Sequence, residues 1–381
     1  MRSVGPKFGF GLYVHWPYCA RICPYCDFNV YAAKDRDTEP LVDAIITDIK
    51  AQRARLPAHP TLDSVFLGGG TPSLLSGGQI ARILETADQA FGLKAGAEIT
   101  LEANPNDVLR VAPTEWAKAG VTRLSLGIQS LDDEALSFLG RDHDGASARA
   151  AIDRVQQVFD NHSVDLIYAR PGQTAADWQV ELSNVLALGA PHLSLYELTI
   201  AERTAFGKRA ARGDLAPMPD DDQADLYELT QDVCTAGGLP AYEVSNHARS
   251  PKYESRHNHI YWASGDWIGV GPGAHGRLTI DGTRVATEAA WLPADYAASS
   301  TPVETSLSQT DTAREFLAMA LRPHAGLDLN RFEALFGSPP DANVMNDLKT
   351  NELATEAQNL LKLTLKGRLM ADYIASLLAP Y

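Results

Sequence analysis

Three cysteines stand close together, Cys19-x-x-x-Cys23-x-x-Cys26, and a chain of 381 residues adds only one more, Cys234. Thiolates are the ligands of iron–sulfur clusters, and four normally serve one cubane. Three closely spaced thiolates can hold three irons and leave the fourth open to a ligand from outside the chain. Two other chemistries use cysteine in this way. Structural zinc could recruit His15 as a fourth ligand, but such sites usually come as two separated ligand pairs, and no second pair exists here. Disulfides would leave one of the three unpaired, and Met1–Lys7 shows no apolar signal core to direct the chain to an oxidising compartment. Cys234 precedes Thr235-Ala-Gly-Gly at the end of an expected helix and reads as a small buried hydrophobe.

The elements that must position these thiols follow a regular rhythm. Short β-rich runs recur at residues 11–15, 64–68, 98–102, 123–128, 163–168 and 192–196. Between them, stretches such as 41–56, 78–91 and 145–159 carry apolar residues at helical spacing. Alternating strand and helix with short apolar strands predicts a parallel sheet with right-handed crossovers. In a barrel of such units chemistry sits where the strands end. Gly68-Gly69-Gly70-Thr71-Pro72, Glu102 and Gln129 all fall at those ends. Glycines there let backbone approach a ligand and offer amide donors, although a tight strand-to-helix turn before Pro72 would use the same residues. Glu102 could hold a ribose hydroxyl or an ammonium group, or simply cap Asn104-Pro105. Gln129 could be turn chemistry, and Arg141 and Asp165 could be ordinary polar pairs.

The string Tyr13-Val-His-Trp-Pro-Tyr-Cys19-Ala-Arg-Ile-Cys23-Pro-Tyr-Cys26 resembles the signature of the radical SAM superfamily. Phe66-Leu-Gly-Gly-Gly-Thr-Pro-Ser73, Leu124-Ser-Leu-Gly-Ile-Gln-Ser130, Leu139-Gly-Arg-Asp-His143 and Asp165-Leu-Ile-Tyr-Ala-Arg-Pro-Gly-Gln-Thr174 resemble its oxygen-independent coproporphyrinogen III oxidase-like family, over nearly the whole chain. That resemblance implies an α/β fold, a partial (β/α) barrel over residues 1–300 with a small α-rich, winged-helix-like cap over 301–381. It implies a [4Fe–4S] cluster on Cys19, Cys23 and Cys26. It implies S-adenosylmethionine (SAM) contacts from Tyr13, Gly69, Gly70, Thr71, Glu102, Gln129, Arg141 and Asp165. One departure is Ala169-Arg170, where the family usually reads Gly-Leu; it should alter a loop near the site rather than the cluster.

Two features choose among the family's branches. The dehydrogenase-type signature continues Cys-x-Cys, whereas Phe28 holds the last position here, and only about ten residues precede the first strand. The second feature is His257-Asn-His-Ile-Tyr-Trp262, followed by Gly269-Val-Gly-Pro-Gly-Ala-His-Gly276. The hexapeptide resembles the His-Asn-x-x-Tyr-Trp pattern of the heme-chaperone branch. Imidazole is a common axial ligand of heme iron, and aromatic rings can cover a porphyrin face. The resemblance therefore implies a heme site at His257, Asn258, Tyr261 and Trp262, with His257 as ligand and His259 as the second choice. The plainer reading is a strand whose aromatics pack the core and whose histidines face solvent. The glycine loop 269–276 resembles a barrel-closing turn that reaches SAM through its backbone.

The expected function is a heme chaperone that binds heme and a SAM-liganded cluster and delivers heme to apo-hemoproteins such as those of a respiratory chain. In that reading SAM and the cluster act as a switch or in dimerisation, making a homodimer and peripheral membrane contact part of the expectation. Two alternatives stay open: coproporphyrinogen III dehydrogenase, and a radical methyltransferase or cyclopropanase. A net charge of −15, with no Lys/Arg run, argues against a nucleic-acid partner. No apolar run approaches the ~20 residues of a membrane helix, so a cytoplasmic protein is expected. Beyond Thr301 helical spacing dominates at 312–321, 329–336 and 356–361, and a last helix is expected over 368–378.

Overall fold

The computed structural model describes residues 9–34, 36–56 and 60–379; the Met1–Lys7 segment read above for a signal core lies outside them. Six parallel strands follow in chain order: β1 (Phe10–Trp16), β2 (Leu62–Gly69), β3 (Leu93–Ala103), β4 (Arg123–Gln129), β5 (His162–Tyr168) and β6 (His192–Glu197). β7 (Asn246–Ala248) closes one edge antiparallel to β6. On the far side β8 (Asp266–Val270) lies parallel to β1, and the antiparallel strands β9 (His275–Ile280), β10 (Thr283–Glu288) and β11 (Val303–Ser306) extend the sheet. The eleven strands run β11-β10-β9-β8-β1-β2-β3-β4-β5-β6-β7. The result is the partial barrel expected from the sequence, and β1, which leads into the cysteines, lies inside the sheet rather than at an edge.

Side chains alternate faces along a strand, and this divides each sequence between two environments. Leu124, Leu126 and Ile128, or Val164 and Leu166, turn outward and are buried. The partners at odd positions, Ser125, Gly127 and Gln129, or Asp165 and Ile167, line the barrel interior. The helices that cover the outside start at defined signals. Gly77–Phe91 begins at a capping box in which the Gln79 amide donates to Ser76 Oγ (3.2 Å) and the Ser76 amide donates to Gln79 Oε1 (2.9 Å). Ala175–Ala187 begins at the matching Thr174–Asp177 box. Each such cap is worth about 1 kcal/mol.

A second hydrophobic core lies in the C-terminal region, built from Phe316, Leu317, Phe332, Leu348, Leu361, Ile374 and their neighbours. Helices Gln309–Ala320, Leu329–Phe336 and Ala342–Thr350 precede a hairpin, and helix Ala371–Leu378 ends the array. Leu327–Asp328 pairs with one arm of the hairpin, completing a winged-helix-like unit. The helix expected over 356–361 is not there. Strands Ala354–Ala357 and Leu360–Leu363 pair across Gln358 and Asn359, whose φ values are 53° and 61°. Two consecutive left-handed residues form the tight turn whose twist suits a hairpin, and neither is the glycine that usually announces it. Among the described residues no helix is long and apolar enough to cross a membrane.

Candidate functional site

A cavity of about 510 Å3 opens at the C-terminal ends of the parallel strands. Cys19, Cys23 and Cys26 all line it, on the loop that leaves β1. The amide of Cys26 donates to the Cys23 carbonyl (3.1 Å), turning the loop back, and Tyr18–Cys19 pairs with Tyr31–Ala32 to close its base. The glycine loop after β2 is stitched to the same strand exit. Gly70 donates to the Trp16 carbonyl (2.7 Å) and Thr71 to that of Tyr18 (2.9 Å). A Cβ on Gly70 would stand 2.7 Å from that carbonyl oxygen, so the approach requires glycine. Gly69, at φ 104°, is excluded from other residues by the His15 ring beneath it.

A cubane cluster takes thiolates from several positions around one cavity, and Cys19, Cys23 and Cys26 border this one together. Burial pushes the Cys19 thiol up to about 11 and raises that of Cys26. Without a metal these are neutral thiols, and loading would release their protons. Arg141 donates to Cys23 Sγ (3.2 Å), to the Gly127 carbonyl (2.9 Å) and to Asn104 Oδ1, placing a buried cation beside the thiols.

Of the residues expected to hold SAM, Gly69, Gly70, Thr71, Glu102, Gln129, Arg141 and Asp165 line this one cavity. Glu102 Oε2 accepts the Gly69 amide (3.0 Å), and burial pushes its carboxyl up to about 7. Gln129 ends β4 at φ 66°, after a register shift that turns its side chain to the cavity. Tyr13 is the exception. His15 donates from Nε2 to the Asn29 carbonyl (3.0 Å), so its Nδ1 accepts the Tyr13 hydroxyl (2.9 Å). Tyr13 thus braces the imidazole under Gly69 and does not border the cavity. The glycine loop 269–276 also misses it. Asn29 donates to the Pro272 carbonyl (3.0 Å), so that loop secures the far end of the cysteine loop.

Sequence reasoning missed the polar lining beneath these groups. Asp165 accepts the hydroxyls of Ser125 (2.8 Å) and Ser163 (2.9 Å). Ser163 Oγ also meets His192 Nδ1 (2.8 Å), and His192 Nε2 meets the Tyr242 hydroxyl (2.8 Å). The signal was present as period-two serines opposite period-two leucines. Arg170, where the family usually carries an apolar residue, is a buried cation that donates to the Ile167 carbonyl (2.9 Å) and pairs with Glu181 (2.7 Å). Glu181 in turn accepts Ser130 Oγ and the Leu131 amide (3.0 Å), directly after Gln129. Ala169 takes φ 57°, the conformation for which the family's glycine is suited.

The hexapeptide corrects two expectations. His257–Trp262 lies in helix Arg256–Trp262, not in a strand. His257 is buried, with Nδ1 on Ser64 Oγ (2.8 Å) and Nε2 on the Tyr261 hydroxyl (2.7 Å). Burial lowers its pKa to about 3. With both nitrogens bonded internally, it has no lone pair free for iron. Asn258 borders the main cavity, whereas Trp262 and His259 face a second one.

Comparison with known proteins agrees with this geometry. Residues 13–182 match the Radical SAM superfamily, and residues 307–370 match the HemN C-terminal domain. The mitochondrial radical S-adenosyl methionine domain-containing protein 1 of Bos taurus is 39% identical over 329 residues, 83% of this chain and 74% of its own. The heme chaperone HemW of Bacillus subtilis is 30% identical over 374 residues, 95% of this chain and 97% of its own. HemW of Escherichia coli is 37% identical over 281 residues, covering 72% and 71%. The solved structure of the radical SAM enzyme coproporphyrinogen III oxidase (HemN) from Escherichia coli superposes over 100% of this chain and 92% of its own, with a TM-score of 0.81 at 23% identity. With three thiols and their supporting polar groups around one barrel mouth, and relatives at 30% identity or more that each cover over two thirds of the chain, the chain belongs to the radical SAM superfamily and, within its coproporphyrinogen oxidase-like branch, to the HemW family.

Proposed function

We propose that this protein holds a [4Fe–4S] cluster on Cys19, Cys23 and Cys26, binds SAM beside it, and carries heme to apo-hemoproteins. The observation that carries the first part is the single cavity shared by the three thiols, Glu102, Gln129, Arg141 and Asp165. Bound there, the cluster supplies a one-electron donor and an open iron able to chelate the amino and carboxylate groups of SAM. The chain's own residues bind and orient: Arg141 offsets thiolate charge at Cys23, Glu102 and Gln129 offer acceptors and donors to SAM, and Gly69–Gly70 admit close backbone approach. The name borne by the HemW relatives supports heme as cargo. Phe28, 63% exposed at the cavity, stands where a dehydrogenase-type signature has a further cysteine. We place the barrel functions in residues 1–300 and a lid or partner surface in 301–381, in a cytoplasmic protein that dimerises and touches membranes peripherally.

Anaerobic reconstitution followed by iron and sulfide analysis, SAM binding and hemin titration tests this. Stoichiometric hemin uptake, transfer to an apo-hemoprotein and no turnover of coproporphyrinogen with SAM and a reductant are the expected results. Formation of protoporphyrinogen IX and carbon dioxide would replace the carrier reading with a decarboxylase.

A further inference from the structure

A second cavity, of about 520 Å3, opens between helix Arg256–Trp262 and the C-terminal unit. Its volume lies within the roughly 300–1,000 Å3 of small-molecule sites. Tyr242, Trp262 and Phe316 give it aromatic walls, and His259, His324 and Arg331 bring nitrogen ligands and positive charge beside the carboxylates of Glu254 and Asp328. Such a lining suits a flat apolar ring with a metal centre and acidic substituents.

The two histidines differ in what they offer. His324 Nε2 accepts from Arg368, so that nitrogen is taken. His259 Nε2 lies 2.6 Å from Glu254 Oε2. The carboxylate accepts, so Nε2 carries a proton, and in the neutral imidazole the lone pair is on Nδ1. Among the described residues nothing hydrogen-bonds to that Nδ1. An imidazole that donates its other N–H to a carboxylate is the usual arrangement of a metal-ligating histidine, because the carboxylate fixes the tautomer and raises basicity. The Tyr242 and Trp262 rings hold it from two sides, with centroids 5.6 and 5.3 Å away. Arg331 lies over the Phe316 ring at 4.7 Å from its centroid and also donates to the Ala263 and Ser264 carbonyls, which fixes its fork of N–H donors at the cavity wall.

We infer that heme sits in this second cavity with His259 as its axial iron ligand, Glu254 as the carboxylate behind that ligand, and Arg331 facing the propionates. The assignment rests on the heme-carrying reading above. It separates the cargo from the cluster: the thiols border one cavity and His259 the other.

The test is ferric hemin titration of the anaerobically reconstituted full-length protein, read as difference spectra in the Soret region with electron paramagnetic resonance for the ligand type. Wild type should bind saturably with a nitrogen-ligated signature. Glu254→Gln should weaken binding roughly 10- to 100-fold, and His259→Ala at least as much, with the nitrogen signature restored by added imidazole. His257→Asn, if folded by circular dichroism, should keep both affinity and signature. Unchanged binding in His259→Ala with loss in folded His257→Asn overturns the seat while leaving the carrier reading intact. Failure of wild type to saturate overturns the carrier reading itself, and this assignment with it. Should His259→Ala fail to fold, Ala325→Trp at the exposed rim of the same cavity decides: blocked uptake supports the seat, and unaltered uptake overturns it.

Discussion

Replacing Arg170 with Leu, the residue the wider family usually carries, should damage this chain rather than return it to type. The Arg170 and Glu181 side chains are only 9% and 8% exposed, so each charge relies on the other. Removing the guanidinium leaves the Glu181 carboxylate buried, with Ser130 and the Leu131 amide as its remaining hydrogen-bond donors among the described residues. Breaking one side of a buried pair typically costs about 3–5 kcal/mol, because the remaining charge keeps its desolvation penalty. Neutralising that charge in Arg170→Leu/Glu181→Gln should recover roughly 2 kcal/mol, since Gln can still accept from Leu131. Urea unfolding of wild type, both single variants and the double variant gives the coupling energy directly. SAM titration of the same four proteins reads the consequence at Gln129, one residue before Ser130. A loss below about 1 kcal/mol for Arg170→Leu, or additivity within about 0.5 kcal/mol, would refute a mutually dependent buried pair.

Ala169→Gly should stabilise the chain by about 0.5–1 kcal/mol, because φ 57° strains a residue with a Cβ; a lower thermal midpoint would show that the strain was misread. Ala substitution of any one of Cys19, Cys23 and Cys26 should abolish cluster absorption and strip iron and sulfide, and retained stoichiometric iron would remove that residue from the ligand set. Glu102→Gln should weaken SAM binding while iron content holds; unaltered SAM affinity would move the ligand away from β3. His257 contributes a pH dependence of known sign. Its folded pKa of about 3 lies below the ordinary 6.5, so the unfolded chain takes the proton first. Stability from this group is whole above pH 6.5 and is lost towards pH 3, at up to about 1.4 kcal/mol per pH unit. The difference between wild-type and His257→Asn unfolding energies should carry that slope between pH 6 and 4, and parallel curves would dismiss it.

The barrel was legible because its two periodicities are strong: every parallel strand from β1 to β6 was visible as an apolar run, and the cysteines, glycines and Glu102 fall at predicted ends. The failures have local causes. Glu356–Leu361 reads as helix by spacing, yet the left-handed pair Gln358-Asn359 folds the segment into a hairpin. Tyr13 is adjacent to the right loop, but its hydroxyl is spent on His15. His257 holds the motif position, but tertiary burial gives both its nitrogens to Ser64 and Tyr261. The Arg170–Glu181 pair needed a distance that sequence does not contain.

The line from Asp165 through Ser163 and His192 to Tyr242 has a built-in direction. A carboxylate can only receive, so Ser163 must give its proton to Asp165, and its oxygen then takes the proton of His192 Nδ1. The imidazole is left with an accepting Nε2, which obliges the Tyr242 hydroxyl to point inward. Asp165 borders the first cavity and Tyr242 the second. The charge at one mouth therefore dictates which way a hydroxyl dipole faces at the other, like a compass needle turned from a distance. The Tyr242 hydroxyl is thereby committed as donor to His192, and its oxygen accepts the Ser255 amide (3.1 Å), so the side chain reaches the second cavity as a ring rather than as a free hydroxyl.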